Sequence, residues 1–274
     1  MSTWGGSEID PSLVARAIGG DRGALEELVR GLERPILALA RHLLHERHEA
    51  EDGAQEALVR IVTRLSTFRG EANFTTWAWR VATNAILDQR RGHARRPLLS
   101  FQAFADDLRE GLADRAAGPQ ERAAVAELKV QCGRALLQCL GGDHRLAYVL
   151  GEVFELDSAV AAKVAGVTPA TFRKRLSRAR ARVHSHLRRS CGVVDSRAAC
   201  RCDRRLPRAR ALGRVSDGRD GGELDVEALQ RRVQGLEALA DRVRAFFRAD
   251  PERPPERALA SEVLACLDST SETP

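Results

Sequence analysis

The sequence predicts an all-α protein. Three observations carry this reading. Helix-forming residues dominate the 274-residue chain, aromatic residues make up only 4% of it, and no run of β-branched residues alternates as a half-buried strand would. A net charge of +6 favours an acidic partner such as nucleic acid, and the distribution of that charge matters more than its sum. No basic start leads into an apolar segment and no run of about 18 apolar residues occurs, so no signal peptide or membrane span is expected, and a cytoplasmic location is. The six cysteines are then expected to be reduced, with packing, metal or redox roles.

In chain order, Asp10 caps a short helix with Pro11 in its first turn, closed by Gly19 and Gly20. A longer helix is expected from Arg22 to His45, burying Leu28, Val29, Leu32, Ile36, Leu37 and Ala40, with Pro35 kinking or dividing it. The next helix turns Ala54, Ala57, Leu58, Ile61, Val62 and Leu65 inward and leaves Asp52, Gln55, Glu56 and Arg60 outside. Beyond the loop Thr67 to Asn73, Asn73 is the expected N-cap of a fourth helix whose buried stripe is Phe74, Trp77, Val81, Ala82 and Ala85. Trp79 falls off that stripe, and Arg80, Asn84, Asp88 and Arg91 occupy the remaining face. Residues 1–96 therefore read as one helical bundle.

Across residues 97–119 the apolar spacing breaks down while Asp106, Asp107, Glu110 and Asp114 give an acidic cast, so this stretch reads as a flexible linker. Residues 120–190 form the next unit: a helix to about Leu140, a helix containing Leu146, Tyr148, Val149, Leu150 and Val153, and then a helix-turn-helix. Its first helix is the alanine-rich stretch from Ser158, its turn is Gly166-Val167, and Thr168-Pro169 opens the second. That second helix buries Phe172, Leu176, Ala179, Val183 and Leu187, which leaves Arg173, Lys174, Ser177 and Arg178 to face a groove. From Arg173 to Arg214 fifteen Arg or Lys stand against two Asp, a density suited to phosphate backbones more than to a merely solvated helix face.

Two strings carry a resemblance. Asp52-x-x-Gln55-Glu56, Phe68-Arg69-Gly70 and Trp77-x-x-Arg80-Val81-Ala82-x-Asn84-x-x-x-Asp88-x-x-Arg91 resemble the sigma-2 domain of extracytoplasmic-function (ECF) sigma factors of the sigma-70 family. The helix-turn-helix that follows is similar to their sigma-4 domain, although Ser158 to Ala162 lacks the usual acidic pair. The resemblance implies a protein that binds core RNA polymerase, recognises promoter DNA in duplex and single-stranded form, and directs transcription initiation. It implies that Asp52, Gln55 and Glu56 dock on a coiled coil of the polymerase's largest subunit. It also implies that the loop Thr67 to Asn73 captures a flipped base of the minus-ten element, that Asn84 shapes this recognition, and that the linker threads through the polymerase.

Base capture needs aromatic planes, cations and small polar readers, so the minus-ten candidates are Phe68, Arg69, Asn73, Trp79, Arg80 and Asn84. Phe74 and Trp77 read as core. For the minus-thirty-five element, Arg173 and Lys174 are the first candidates for base reading, with Arg175, Ser177 and Arg178 beside them.

Residues 191–222 form a basic, cysteine-containing segment ending in the hinge Asp217 to Gly222. His184, His186, Cys191, Cys200 and Cys202 contain enough soft ligands for zinc or copper(I), but C-x-C is not the spacing of a standard finger, and a structural role for the cysteines stands beside the metal or redox one. Residues 223–274 form a helical extension with a seam of Val226, Leu229, Val233, Leu236, Ala240, Val243 and Phe247. After Pro251, Pro254 and Pro255, a final helix holds Leu259, Val263, Leu264 and Leu267. The expected arrangement is a helical pair docking on the preceding domains, and beside it stands a regulatory reading in which this tail controls access to polymerase in place of a separate anti-sigma factor.

No P-loop, nucleophile elbow or H-E-x-x-H occurs, so an enzyme is not expected. The alternative from another class is a free-standing helix-turn-helix regulator with a metal or redox-sensing tail. It accounts for residues 143–190 but leaves the Asp52 to Arg91 string unexplained.

Overall fold

A computed structural model describes residues 9–44, 46–70, 73–92, 99–113, 117–215, 224–249 and 257–271. Glu71 and Ala72 of the predicted loop, the Asp217–Gly222 hinge and the Pro251–Pro255 break lie outside the described residues, as do the side chains of Arg91 and Leu267. In chain order the helices are α1 (Pro11–Ile18), α2 (Arg22–Leu43), α3 (Arg47–Thr63), α4 (Phe74–Gly92), α5 (Phe101–Arg109), α6 (Arg122–Gln138), α7 (Gly142–Tyr148), α8 (Ser158–Ala165), α9 (Pro169–Ser190), α10 (Cys202–Ala211), α11 (Val226–Gln234), α12 (Leu239–Arg248) and α13 (Leu259–Ser271). Among the described residues the only β-type pairing is one bridge, between Cys191 and Cys200.

Packing divides the chain into two compact units, one of residues 1–96, 149–174 and 254–274, the other of residues 97–148 and 175–253. This departs from the sequential layout, in which residues 120–190 stand as a domain of their own. The single helix α9 supplies its start to the first unit and the rest of its length to the second.

In the first unit, α2, α3 and α4 pack on one another, with α1 on α2. Asp10 and Asp21 cap α1 and α2 by accepting from the backbone N–H groups of Ser12 and Ala24. α2 runs through Pro35 as one helix rather than two, with Leu28, Val29, Leu32, Ile36, Leu37, Leu39 and Ala40 buried. The bundle also buries a carboxylate: Glu51 is fully enclosed and faces Arg47 at 3.5 Å and Arg41 at 4.0 Å. A buried carboxylate needs such cations to offset its lost hydration. Gly53 sets how closely α3 and α4 approach, because a Cβ there would stand 2.5 Å from Gln89 Oε1 and 3.0 Å from Leu44 Cδ1.

One expectation is corrected here. Trp79 does not lie off the buried surface of α4; it is 6% exposed and packs on Phe154, while Trp77 is only half-buried. The stripe is wider than expected, comprising Phe74, Ala78, Val81, Ala82, Ala85 and Ile86, and Trp79 flanks it on the side where residues 149–154 and α8 pack.

In the second unit, the linker expectation is also corrected for residues 101–109. Phe101, Phe104, Ala105 and Leu108 recur at helical spacing, Ser100 caps the turn by accepting from Ala103 N–H at 3.0 Å, and α5 results. The acidic side chains that suggested a tether have partners: Asp107 accepts from Arg205 at 2.8 Å and from Arg214 at 2.5 Å. Lys129 is fully buried on α6, donates to the Phe246 carbonyl and places its ammonium 4.3 Å from the centre of the Phe246 ring. Arg145 donates to the carbonyls of Leu137, Gln138 and Leu140, satisfying acceptors left open where α6 ends. The tail seam is not one helix: it breaks after Gln234 into α11 and α12, which pack on each other.

Candidate functional site

The α3 edge contains Asp52 and Glu56 as exposed residues and Gln55 as a half-buried one. Their order follows from helix geometry: Asp52, Gln55 and Glu56 stand three and four residues apart, so they share one face. Glu56 accepts from Arg60 Nε at 2.6 Å, and the same guanidinium donates to Asp88 of α4 at 3.0 Å. These bonds raise the pKa of Arg60, with the Glu56 contact the larger influence. Asp52 and Gln55 are engaged differently, by the Arg257 guanidinium, at 2.7 Å and 2.9 Å. Sequence reasoning missed Arg257, Glu33 and Glu262 at this edge; charged residues flanking the apolar start of α13 were visible, but a pairing across 205 residues was not.

The second face belongs to α4 and the turn before it. Asn73 caps α4 as expected, accepting from Thr75 N–H at 2.8 Å. Phe68, half-buried, lies edge-on to Phe74 with ring centres 5.3 Å apart and tilted to Trp77 at 5.5 Å. Gly70 has φ +74°, a left-handed conformation that turns the chain after Arg69 and that other residues adopt at a cost. Arg69, Asn73, Arg80 and Asn84 are exposed. Asn73, Trp77, Arg80 and Asn84 follow one another at steps of four, three and four residues, a single outward row along the helix. Of the expected minus-ten residues, Trp79 is buried and off that row, Phe68 and Arg69 precede the helix, and the half-buried Trp77 lies within the row.

The third face is the helix-turn-helix. Asp157 caps α8 by accepting from Ala159 N–H at 2.7 Å, and Gly166 ends it at φ 66°, with Val167 N–H reaching back to the Ala162 carbonyl at 3.0 Å. Thr168 Oγ1 accepts from Thr171 N–H at 3.2 Å to start α9, with Pro169 in its first turn. All five apolar residues expected inward on α9 are buried: Phe172, Leu176, Ala179, Val183 and Leu187. Arg173, Lys174, Ser177 and Arg178 are exposed. Arg175 is half-buried and paired with Asp143 at 2.7 Å, so it stands apart from that row.

The histidines do not join the cysteines of the expected set, whereas Cys191, Cys200 and Cys202 lie near enough to act on one another electrostatically. Residues two apart on a helix point to roughly opposite sides, so His184 and His186 of α9 do not converge. His186 is buried and stacked on Phe104 with ring centres 5.3 Å apart. Burial, followed by the charges of Arg189 and Arg109, lowers its pKa to about 4. Gly192 N–H donates to the Cys200 carbonyl at 2.9 Å, holding Cys191 and Cys200 side by side as part of the packing after α9. Burial pushes the thiols of Cys191 and Cys202 up, and that of Cys200 to about 12. Among the described residues no group of three or more His, Cys, Asp or Glu is placed to hold a metal ion. Among them, too, no helix is long and apolar enough to cross a membrane.

The family model described as Sigma-70 region 2 matches residues 28–96, which contain α3 and α4. The RNA polymerase sigma-H factor of Pseudomonas aeruginosa is 33% identical over 176 residues, covering 63% of this chain and 91% of that protein. The ECF RNA polymerase sigma factor SigM of Mycobacterium tuberculosis is 30% identical over 177 residues, covering 64% of this chain and 82% of that one. A solved structure of CnrH in complex with the cytosolic domain of CnrY shares the fold, with a TM-score of 0.50 at 22% identity over 65% of this chain and 96% of that chain. With the helical bundle, the α4 row and the helix-turn-helix all in place, the chain belongs to the extracytoplasmic-function sigma factors of the sigma-70 family.

Proposed function

We propose that this sigma factor joins core RNA polymerase through the α3 edge of Asp52, Gln55 and Glu56 and selects promoters with the outward rows of α4 and α9. The family is one of transcription initiation factors, not enzymes. Its work is therefore binding and DNA opening in the cytoplasm, where polymerase and promoter meet.

The observation that carries this reading is the division of α9 into a fully buried apolar stripe and an exposed row of Arg173, Lys174, Ser177 and Arg178. A helix held so firmly on one side can present fixed donors to a major groove on the other. Arg173 and Lys174 are the base readers of the minus-thirty-five element. Arg178 and Ser177 position the helix on phosphates, and Arg175, tied to Asp143, holds the helix from the side.

On α4 the half-buried Trp77 and Phe68 supply aromatic surface, Arg69 and Arg80 supply cations, and Asn73 and Asn84 supply amides that both donate and accept. That combination suits an unstacked strand of the minus-ten element better than a closed duplex.

The test is thymine reactivity to permanganate on promoter DNA incubated with core polymerase and this chain. Unpaired thymines are expected with the unmodified protein and are expected to be lost in the Arg80→Ala, Asn84→Ala double variant. Binding to duplex DNA without polymerase, with no opening under any condition, would instead favour the free-standing regulator.

A further inference from the structure

The α3 edge already has an occupant within its own unit. α13 packs on α2 and α3, burying Leu259, Ala260, Val263 and Leu264. Its first turn is closed from outside the helix: Ala260 N–H donates to Glu33 Oε1 of α2 at 3.0 Å, satisfying a donor that has no partner within a helix start. Arg22 Nη2 donates to the Leu264 carbonyl at 3.4 Å. Arg257 Nη1 donates to Asp52 Oδ1 at 2.7 Å and Arg257 Nη2 to Gln55 Oε1 at 2.9 Å, while Gln55 Nε2 donates to Glu262 Oε2 at 3.1 Å. Two of the three edge residues are thereby held by the tail, and Glu56 bonds Arg60 instead.

The character of these contacts argues against a purely stabilising role. The Asp52 and Arg257 side chains are 57% and 37% exposed, and exposed ion pairs of this kind add little to stability. Apolar burial docks α13, and the polar contacts select where it docks. An apolar stripe beside a cation aimed at an acidic helix edge is also what a partner helix would bring to that edge. Because α13 belongs to the same chain as the edge it covers, weak contacts suffice: an intramolecular contact acts at an effective concentration in the ~mM range.

We infer that α13 is a built-in occluding helix that competes with core RNA polymerase for Asp52 and Gln55, so that polymerase binding requires α13 to leave the α2–α3 surface. This rests on the reading of the α3 edge as the polymerase contact. Opening and binding are then linked, and anything that loosens α13 raises the apparent affinity for polymerase by the gain in the open fraction.

The experiment is a titration of labelled core polymerase with the full-length chain and three full-length variants, Arg257→Ala, Val263→Asp and Glu56→Ala. Arg257→Ala, which removes only rim contacts and leaves the core intact, is expected to bind about threefold tighter. Val263→Asp, which places a charge at a fully buried position of α13, is expected to bind about tenfold tighter or more. If Val263→Asp unfolds the bundle, as circular dichroism would reveal, Arg257→Ala decides alone. Glu56→Ala, outside the tail contacts, is expected to weaken binding. If Glu56→Ala weakens binding but the tail variants bind no tighter than the unmodified chain, occlusion by α13 is overturned while the edge reading stands. If Glu56→Ala changes nothing, the edge reading falls and the inference with it.

Discussion

Trp79 lies on Phe154, ring centres 5.5 Å apart and planes tilted by 58°, and this contact joins α4 to the segment that precedes the helix-turn-helix. His42 meets the same phenylalanine edge-on at 5.7 Å, so Phe154 is held from two sides. The tryptophan of this pair serves the core of its unit, whereas Trp77, two residues earlier, keeps one side toward solvent. Trp79→Ala is therefore expected to cost about 3 to 5 kcal/mol of stability, as removal of a large buried aromatic does. Trp77→Ala should cost only about 1 to 2 kcal/mol, in proportion to its smaller buried area. Urea unfolding measures both, and promoter opening should fall in the folded Trp77→Ala protein. Equal costs for the two would contradict their assignment.

Arg173 and Arg175 are two residues apart on α9 but differ in their surroundings. Arg173 is exposed on the groove row, and Arg175 is paired with Asp143. Arg173→Ala should lower transcription from promoters with an intact upstream element about tenfold or more relative to scrambled ones, the discrimination a guanine-reading arginine provides. Arg175→Ala should lower both by the same modest factor. Equal loss on both templates for Arg173→Ala would mean that it touches only phosphate.

His186 links stability to pH. Its folded pKa is lowered to about 4 by burial and then by Arg189 and Arg109, against 6.5 for an unburied histidine. Between these values the unfolded chain binds the proton and the folded chain does not, so stability is full above about pH 6.5 and declines as pH falls toward 4. The share of this loss due to His186 is on the order of 3 kcal/mol. Denaturant titrations of His186→Phe from neutral pH to pH 4 should show a flatter decline than the unmodified chain. An unchanged slope would mean that other groups set the acid sensitivity.

The cysteines should separate cleanly by reactivity. Cys266 is exposed on α13, and burial raises the pKa values of Cys132, Cys139, Cys191, Cys200 and Cys202. The thiolate is the reactive form, so brief alkylation of the native protein should modify Cys266 and spare the other five until denaturant is added. Rapid native labelling of Cys139 or Cys191 would contradict their burial.

These contrasts also show which parts of the fold were legible in the sequence. The apolar stripe of α9 was, because Phe172, Leu176, Ala179, Val183 and Leu187 announce themselves by spacing within one helix, and the caps Asp10, Asn73 and Thr168 by residue type next to their own helices. α5 was not, because acidic residues between Phe101, Phe104 and Leu108 concealed an amphipathic period and the arginines that neutralise Asp107 lie about a hundred residues further on. Trp79 was misassigned for a related reason. Periodicity on α4 identifies a buried centre, but the width of the stripe depends on Phe154, which a local pattern does not contain. At the candidate site the exposed rows of α4 and α9 were readable by subtraction. The occupant of the α3 edge was not, since complementarity between Arg257 and Asp52 has no local signature.

The most direct measurement is run-off transcription with purified core polymerase on a promoter library, with and without this chain. Addition of the chain should produce transcripts with defined starts, sensitive to Arg80→Ala on the downstream element and to Arg173→Ala on the upstream one. Absence of defined starts from a chain that is folded and mixed with active core, with the α13 contact released by Arg257→Ala as well as intact, would contradict the account.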